Sequence, residues 1–165
     1  MFKSWPKIHR WENETYRVTE KIDGTNACVI IQPYEPGFMV VAQSRTRILT
    51  TDNDNFGFAK WVEDNHEELQ QLGIGYHYGE RWGQEIQRHY GLKEKRFSLF
   101  EPWKVEQIPS CCHIVPEICK AAKEDQLYQI LNDFNESVAA PGYKKPEGFV
   151  IHGNLSKSCH KLIKD

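Results

Sequence analysis

Two short apolar segments, residues 27–32 and 38–43, flank a run that contains Pro33, Pro36 and Gly37. Proline and glycine favour turns, whereas β-branched and aromatic residues favour strands, so this pattern predicts a β-hairpin. Residues 15–21 alternate in the way that is typical of a strand, and Asp23-Gly24 interrupts the chain before the hairpin. The first quarter of the chain is therefore expected to be an antiparallel sheet.

The rest of the chain mixes the two kinds of pattern. Apolar residues recur with helical spacing in residues 55–72 and again in residues 127–138, where Pro141-Gly142 would close the second helix. Four more segments have strand character: residues 76–82, 96–101, 148–152 and 160–163. Because strands outnumber helices and the helices interrupt them irregularly, we expect an α+β fold on antiparallel sheets with a few peripheral helices.

Length and composition narrow the class of protein. The chain has 165 residues, of which 39% are hydrophobic, and we interpret residues 1–165 as one minimal domain. No apolar run approaches the roughly 20 residues that span a bilayer, so we expect no membrane partner. The five cysteines form an odd set without a secretion signal, which favours reduced thiols and a cytoplasmic location.

Lys21 stands at the end of the first predicted strand, directly before the turn at Asp23-Gly24. A lysine can attack phosphorus only after losing a proton, which costs an ordinary lysine roughly 4–5 kcal/mol at neutral pH. Neighbouring cations or a bound metal ion would lower that cost. The tetrapeptide alone is also compatible with a solvated lysine beside a turn.

Further short motifs follow in a definite order. Each of them contains a side chain suited to binding a nucleotide: a guanidinium for phosphate, a carboxylate framed by glycines, an aromatic ring for a purine, a second carboxylate, and lysines. In chain order they are Arg45, Glu80, Phe100, Glu147 and the pair Lys161 and Lys164.

This ordered set resembles the covalent nucleotidyltransferase superfamily of ATP-dependent ligases and mRNA capping enzymes. It is most similar to the RNA ligase branch that seals nicked duplex RNA, whose nucleophile motif reads Lys-x-Asp/His-Gly-Thr-Asn after a glutamate. Residues 20–26 reproduce that motif. The resemblance implies an antiparallel-sheet nucleotidyltransferase domain, the ATP-grasp-like catalytic domain of ligases.

The resemblance also implies a role for each matched residue. Lys21 would attack the α-phosphate of ATP and become lysyl-AMP, with Glu147 and Lys161 as the other catalytic residues. Glu147 would also help to hold a divalent metal, and Lys161 would contact the α-phosphate. The remaining roles are in nucleotide binding: Glu20 at the adenine edge, Ile22 and Asn26 within the nucleophile motif, Arg45 on ribose or phosphate, Glu80 on a ribose hydroxyl and Phe100 stacked on the base.

The implied cofactors are ATP and Mg²⁺ or Mn²⁺, and the implied partner is RNA with 5′-phosphate and 3′-hydroxyl ends, for example in a nicked duplex. The location would be the cytoplasm, or the host cytoplasm if the protein is viral. Relatives usually carry a further C-terminal domain after the last motif. We expect no such accessory domain here: the chain would be a minimal ligase, a helper protein would supply the missing surface, or the sequence would be a piece of a longer protein.

The last motif departs from the family pattern. It usually has two lysines separated by one residue, whereas two residues separate Lys161 from Lys164. On a regular strand this spacing places the two side chains on opposite faces, unless a bulge at Leu162 or Ile163 corrects it. Lys164 is therefore assigned to the nucleotide only provisionally.

Two other functions fit the same residues. A capping-type guanylyltransferase would use GTP and carry GMP on Lys21. A nucleotide- or RNA-binding module that has lost turnover would bind ATP without forming any adduct.

Overall fold

The computed structural model describes residue 4 and residues 7–164, which belong to two compact units. Unit 1 combines Met1–Lys21 with Pro116–Asp165, and unit 2 is the continuous segment Ile22–Val115. In chain order the strands are β1 (Tyr16–Lys21), β2 (Thr25–Tyr34), β3 (Gly37–Ser44), β4 (Ile48–Leu49), β5 (Gly75–Gly83), β6 (Lys95–Leu99), β7 (His113–Ile114), β8 (Glu117–Ala122), β9 (Gly148–Gly153) and β10 (Cys159–Ile163). The α-helices are α1 (Phe58–Asp64), α2 (His66–Leu69) and α3 (Glu124–Asp133), and short 3-10 helices occur at Trp11–Asn13, Gln70–Leu72 and Pro102–Lys104.

Unit 1 contains a four-stranded antiparallel sheet with the strand order β10-β9-β1-β8. One face of this sheet packs against α3, where Val18 and Phe149 are completely buried together with Leu127 and Leu131 of the helix. Burying an apolar side chain of this size contributes about 1.5–3 kcal/mol. This packing fixes β1, the strand that ends at Lys21.

Unit 2 contains a six-stranded sheet with the strand order β4-β3-β2-β5-β6-β7. Its neighbouring strands are antiparallel except β6 and β7, which are parallel. One face packs on α1 and α2, where Val29, Phe58 and Phe97 are buried. Because side chains alternate along a strand, the opposite face carries Asn26, Cys28, Tyr76 and Tyr78. We call this opposite face the cavity face.

The α+β architecture on antiparallel sheets, with few helices, confirms the predicted fold class. The hairpin is confirmed as β2 and β3, although its turn is shorter than predicted because Pro33 and Tyr34 continue β2. Among the residues that the structure describes, no helix is long and apolar enough to cross a membrane.

Both predicted helices have the wrong bounds. Helix α1 begins at Phe58 because Gly57 has a left-handed backbone (φ 67°), and the Asp54 carboxylate accepts hydrogen bonds from the first amides. It ends at Asp64, and the side-chain amide of the next residue, Asn65, donates to the carbonyl of Trp61 and thereby competes with the helix backbone. Helix α3 stops at Asp133, so Val138 lies outside it.

Candidate active site

Lys21 is the last residue of β1, and its ammonium group contacts the carboxylate of Glu147, directly before β9. Its Nζ atom donates a hydrogen bond to Glu147 Oε1 over 2.7 Å. The two side chains are only 25% and 14% exposed, so water screens the ion pair incompletely. Lys21 pairs with Gly148 in the β1–β9 ladder, which places Glu147 beside it. The structure thus joins two predicted catalytic residues that lie 126 positions apart.

Gly148 is required by the close approach of β10 to the start of β9. Its φ angle of 145° is unfavourable for other residues, and a Cβ atom there would overlap the carbonyl oxygen of Leu162. The residue after Glu147 must therefore be a glycine so that β9 and β10 can pack together. It fixes the backbone from which the Glu147 carboxylate extends.

Lys161 lies on the same face of the unit 1 sheet as Lys21. Ile163 pairs with Gly148, which in turn pairs with Lys21, so these three residues form one row across the sheet. Lys161 is two positions before Ile163, and side chains two positions apart point to the same face. The β9–β10 register continues regularly through Leu162, so the hypothesis of a bulge that would turn Lys164 towards this face is wrong.

Lys164 follows β10 and contacts the C-terminal end of α3. Its Nζ atom donates to the carbonyl oxygen of Phe134 over 2.7 Å and to Asn135 Oδ1 over 2.6 Å, with longer contacts to two earlier carbonyls. The last carbonyls of a helix lack partners inside it and carry partial negative charge, so an ammonium group stabilises them. Lys164 therefore caps α3, and its role towards a nucleotide stays a prediction.

Glu20 is only 1% exposed, and its carboxylate holds the segment after α3. Oε1 accepts a hydrogen bond from Ser137 Oγ over 2.6 Å, and Oε2 accepts from the amides of Val138 and Ala139 over 2.9 Å each. Burial raises the pKa of Glu20, while these three donors act in the opposite direction. Its side chain is thus committed to unit 1, and the predicted adenine contact would use the backbone.

In unit 2, the turn that follows Lys21 and Ile22 is held by the segment after β5. The amide of Asp23 donates to Tyr90 Oη over 2.7 Å, and Arg88 Nε donates to Asp23 Oδ2 over 2.9 Å. Ile22 itself is buried. The holding segment has positive φ angles at Glu85, Gln87, His89 and Tyr90. Backbone strain of this kind persists only where the surrounding contacts enforce it, and it clusters at functional sites.

Gly24 allows this turn to pass closely over β5. A Cβ atom there would lie 2.5 Å from the carbonyl oxygen of Arg81 and 2.8 Å from Trp82 Cβ, so only glycine fits. Two positions later, Asn26 lies opposite Glu80 in the β2–β5 ladder. Glu80 is 8% exposed. Two of the predicted nucleotide-binding residues are therefore direct neighbours.

A cavity of about 310 Å³ opens on the cavity face of unit 2. This volume lies at the lower end of the range for small-molecule sites. The lining combines a guanidinium, two aromatic rings, amides and a thiol, and consists of Asn26, Ala27, Cys28, Gln43, Ser44, Arg45, Tyr78 and Phe100. Phe100 donates its amide to the carbonyl of Tyr78 over 3.0 Å, which keeps both rings at the rim. Three predicted nucleotide-binding residues, Asn26, Arg45 and Phe100, thus share one cavity.

Glu147 also has the chemistry for a divalent metal ion. Its Oε2 atom is buried and has no hydrogen-bond partner among the described residues. A buried oxygen of this kind is suited to a hard cation such as Mg²⁺, which commonly takes one or two protein carboxylates and completes its shell with phosphates and water. The described part of the chain holds no group of three or more histidine, cysteine, aspartate or glutamate side chains that could bind a metal ion together.

Some residues of the site were not found from the sequence. Tyr78 was visible only as the neighbour of Glu80, although its ring lines the cavity. No sequence motif pointed to Tyr90 or Ser137, because they act through contacts with residues that lie 67 and 117 positions away in the chain.

The chain is similar to known proteins in sequence family and in fold. Residues 14–164 match the family model described as RNA ligase. No curated protein sequence shows significant similarity to the chain.

Several solved structures of Naegleria gruberi RNA ligase have the same fold. The complex with PPi has a TM-score of 0.69 at 22% identity, over 93% of this chain and 50% of that chain. An arginine-to-alanine mutant with ATP and Mn has a TM-score of 0.71 at 21% identity, over 94% and 51%. A lysine-to-methionine mutant with AMP and Mn gives 0.68 at 21%, over 93% and 51%. The chain therefore spans about half the length of these proteins.

Proposed function

This chain belongs to the RNA ligase family, and on that premise we propose that it is an ATP-dependent RNA ligase with Lys21 as its nucleophile. The observation that carries the proposal is the 2.7 Å contact between Lys21 and Glu147. It holds the amine of a nucleophile motif beside a carboxylate that has a second, unpartnered oxygen. That arrangement suits nucleotidyl transfer, which depends on positioning and charge stabilisation.

The proposed reaction has three steps. Lys21 Nζ loses a proton and attacks the α-phosphorus of ATP, so that a P–N bond forms, the bond to the β-phosphate oxygen breaks and pyrophosphate leaves. An oxygen of an RNA 5′-phosphate then attacks the phosphorus of lysyl-AMP, so that a P–O–P bond forms, the P–N bond breaks and Lys21 leaves and recovers its proton. Finally, a 3′-hydroxyl attacks the activated 5′-phosphate, the new phosphodiester forms and AMP leaves.

Several residues of the site would contribute to these steps. Glu147 Oε1 is an acceptor within hydrogen-bond distance of Lys21 Nζ, so it orients the amine and offers a path for its proton. Lys161, on the same sheet face as Lys21, would stabilise negative charge on the α-phosphate. Arg45 would bind ribose or phosphate, Phe100 would stack on the adenine, and Glu80 would accept a hydrogen bond from a ribose hydroxyl.

A divalent cation, Mg²⁺ or Mn²⁺, completes the proposed site. Glu147 Oε2 would hold it, and it would supply charge neutralisation on the phosphates. In support, the structures of Naegleria gruberi RNA ligase include complexes with ATP and Mn, with AMP and Mn, and with PPi. In the proposed scheme ATP is the substrate of the first step, pyrophosphate leaves in that step and AMP leaves in the last one. The proposed RNA substrate has adjoining 5′-phosphate and 3′-hydroxyl ends, as in a nicked duplex.

Intact-mass spectrometry after incubation with ATP and Mg²⁺ tests the first step. We expect a mass gain of one adenylate group, localised by peptide mapping to Lys21. The matched control is Lys120→Ala, which removes an exposed lysine of unit 1 and should retain the adduct. Lys21→Ala should lose it while remaining folded by circular dichroism. An adduct that survives in Lys21→Ala would refute the assignment of the nucleophile.

The later steps need a second assay, on nicked duplexes whose 3′-hydroxyl strand is RNA or DNA. Sealing of the RNA nick is expected. Parallel incubation with GTP separates a guanylyltransferase, because a GMP adduct without an AMP adduct would replace the ligase proposal.

One observation favours the alternative of a binding module without turnover. Lys164 is held by α3, which leaves Lys161 as the lysine of the last motif that shares a face with Lys21. This alternative predicts that ATP binds, for example in calorimetry, while no adduct appears on Lys21.

A further inference from the structure

Two tyrosines stand on the cavity face of unit 2 with their rings open to solvent. Tyr76 is 56% exposed and Tyr78 is 52% exposed. They are two positions apart on β5, so both side chains point to the same face. Their ring centroids lie 6.3 Å apart with an interplanar angle of 18°, which is a nearly parallel stack. The two exposed rings therefore lie in nearly parallel planes on one face of the sheet.

Covering the sheet does not by itself explain this pair. The strand partner of Tyr76 is Ile30 and that of Tyr78 is Cys28, and both partners are almost completely buried. An aliphatic side chain would cover such neighbours as well and would not leave half an aromatic ring in water. The exposed, parallel rings therefore indicate a ligand with a flat π-system.

The two tyrosines adjoin the cavity of unit 2 that contains Asn26, Arg45 and Phe100, which we call the nucleotide cavity. Tyr78 lines the cavity together with Arg45 and Phe100, and Tyr76 lies two positions before Tyr78 on β5. The flanking positions on β3 are Val41 and Gln43, which carry no charge. A ligand over Tyr76 would thus contact uncharged side chains through a base, and Arg45 in the cavity would offer a guanidinium to its backbone phosphate.

We propose that Tyr76 and Tyr78 form a stacking site for an unpaired base of single-stranded RNA next to the nucleotide cavity. The inference deepens the proposed function and rests on it, since it assigns part of the RNA strand to a surface. Aromatic side chains bind single strands in this way because every base has a π-face, so recognition tolerates sequence. Tyrosine offers this contact area at low conformational cost.

Fluorescence anisotropy with a short fluorescein-labelled, single-stranded oligoribonucleotide tests the site. Loss of one stacked base reduces affinity by about 5-fold to 150-fold, so Tyr76→Ala should raise the Kd within that range. Tyr76→Phe keeps the ring and should stay within about 3-fold of the wild-type protein. Tyr128→Ala is the matched control, because it removes a tyrosine of α3 in unit 1 that is still more exposed than Tyr76, and it should leave the Kd unchanged.

The salt dependence of binding separates stacking from charge. Tyr76→Ala should lower affinity at every salt concentration and leave the slope of log K against log salt unchanged, because no phosphate contact is lost. Arg45→Gln should reduce that slope by about 0.7, the value for one phosphate contact with a single strand. A shift of the slope in Tyr76→Ala would show that the tyrosine does not act by stacking.

The outcomes are distinguishable from those of the proposed function. If Tyr76→Ala binds RNA as tightly as the wild-type protein while its Tm confirms folding, the stacking site is refuted, and the face is left to another partner such as a protein. If the wild-type protein forms no lysyl-AMP but Tyr76→Ala still weakens RNA binding, the ligase proposal fails and the stacking site stands. Equal loss of affinity in Tyr76→Phe and Tyr76→Ala would also overturn it.

Discussion

Glu20→Ala should lower the free energy of unfolding by about 3 kcal/mol. The Glu20 carboxylate accepts three hydrogen bonds, from Ser137, Val138 and Ala139, and hydrogen bonds to a charged group contribute about 1.5–3 kcal/mol each. Two terms offset part of that sum. Burial of the carboxylate is itself unfavourable, as its raised pKa indicates, and Ser137 Oγ retains a second hydrogen bond, from the amide of Ala140.

Glu20→Gln provides the matched comparison. The amide oxygen can still accept from the amides of Val138 and Ala139, and its NH₂ group can donate to Ser137 Oγ. This substitution keeps the shape of the side chain and removes only its charge, so we expect the free energy of unfolding to fall by about 1 kcal/mol. The difference between the two variants therefore measures the acceptor geometry rather than the volume of the side chain.

Urea denaturation followed by tryptophan fluorescence gives both free energies. In thermal unfolding, a loss of 3 kcal/mol should lower Tm by about 6–12 °C in a protein of this length. The rate of lysyl-AMP formation, measured below the transition, should also fall in Glu20→Ala, because the neighbouring Lys21 is on the same strand. Unchanged stability in Glu20→Ala, or equal losses in the two variants, would refute this account of the buried carboxylate.

Three further predictions concern other contacts. Tyr90→Phe removes the acceptor for the Asp23 amide and should slow lysyl-AMP formation about 10-fold at saturating ATP in rapid-quench experiments; an unchanged rate would contradict a positioning role. Lys164→Met removes the cap of α3 and should lower the free energy of unfolding by about 1–2 kcal/mol in urea, whereas Lys164→Arg should recover part of it. Hydrogen bonding from Ser156, and then from the Leu155 amide, lowers the pKa of Glu14 to about 2 from an ordinary value of 4.5. The stability that Glu14 contributes is thus present above pH 4.5 and is lost as the pH falls towards 2, so the difference in Tm between the wild-type protein and Glu14→Gln should shrink across that window; a constant difference would contradict it.

The sequence predicts those parts of the fold in which local pattern and final packing agree. The β2–β3 hairpin has two apolar segments on either side of a proline- and glycine-containing run, and the structure contains this hairpin with a shorter turn. Strand β8 was missed because Glu117 and Lys120 interrupt its apolar residues, and it is recognisable only as the edge partner of β1. The end of α3 was misplaced because Glu20, from a distant strand, captures the amides that follow the helix.

In the candidate site, too, local sequence predicts some features, whereas contacts between distant residues determine others. Lys21, Glu80 and Glu147 stand in short motifs that contain glycines. At Gly24 and Gly148 the structure shows why, because a Cβ atom at either position would overlap a neighbouring strand. The contacts that hold the motifs are long-range, so no local pattern reveals them. The cap formed by Lys164 is an example. The spacing between Lys161 and Lys164 shows only that the last motif departs from the family pattern. It does not reveal that Lys164 binds the end of α3, which lies about thirty positions earlier.

The contact between Lys21 and Glu147 has a consequence for biosynthesis. Unit 2 is continuous in sequence, whereas unit 1 joins segments on either side of it. During translation β1 emerges early, but both of its sheet neighbours, β8 and β9, follow the whole of unit 2. Domains form as their chain becomes available, and contacts between distant segments form late. The amine of Lys21 is thus set in its final place only after residue 147 has left the ribosome, so a nascent chain carries Lys21 long before its contact with Glu147 can form.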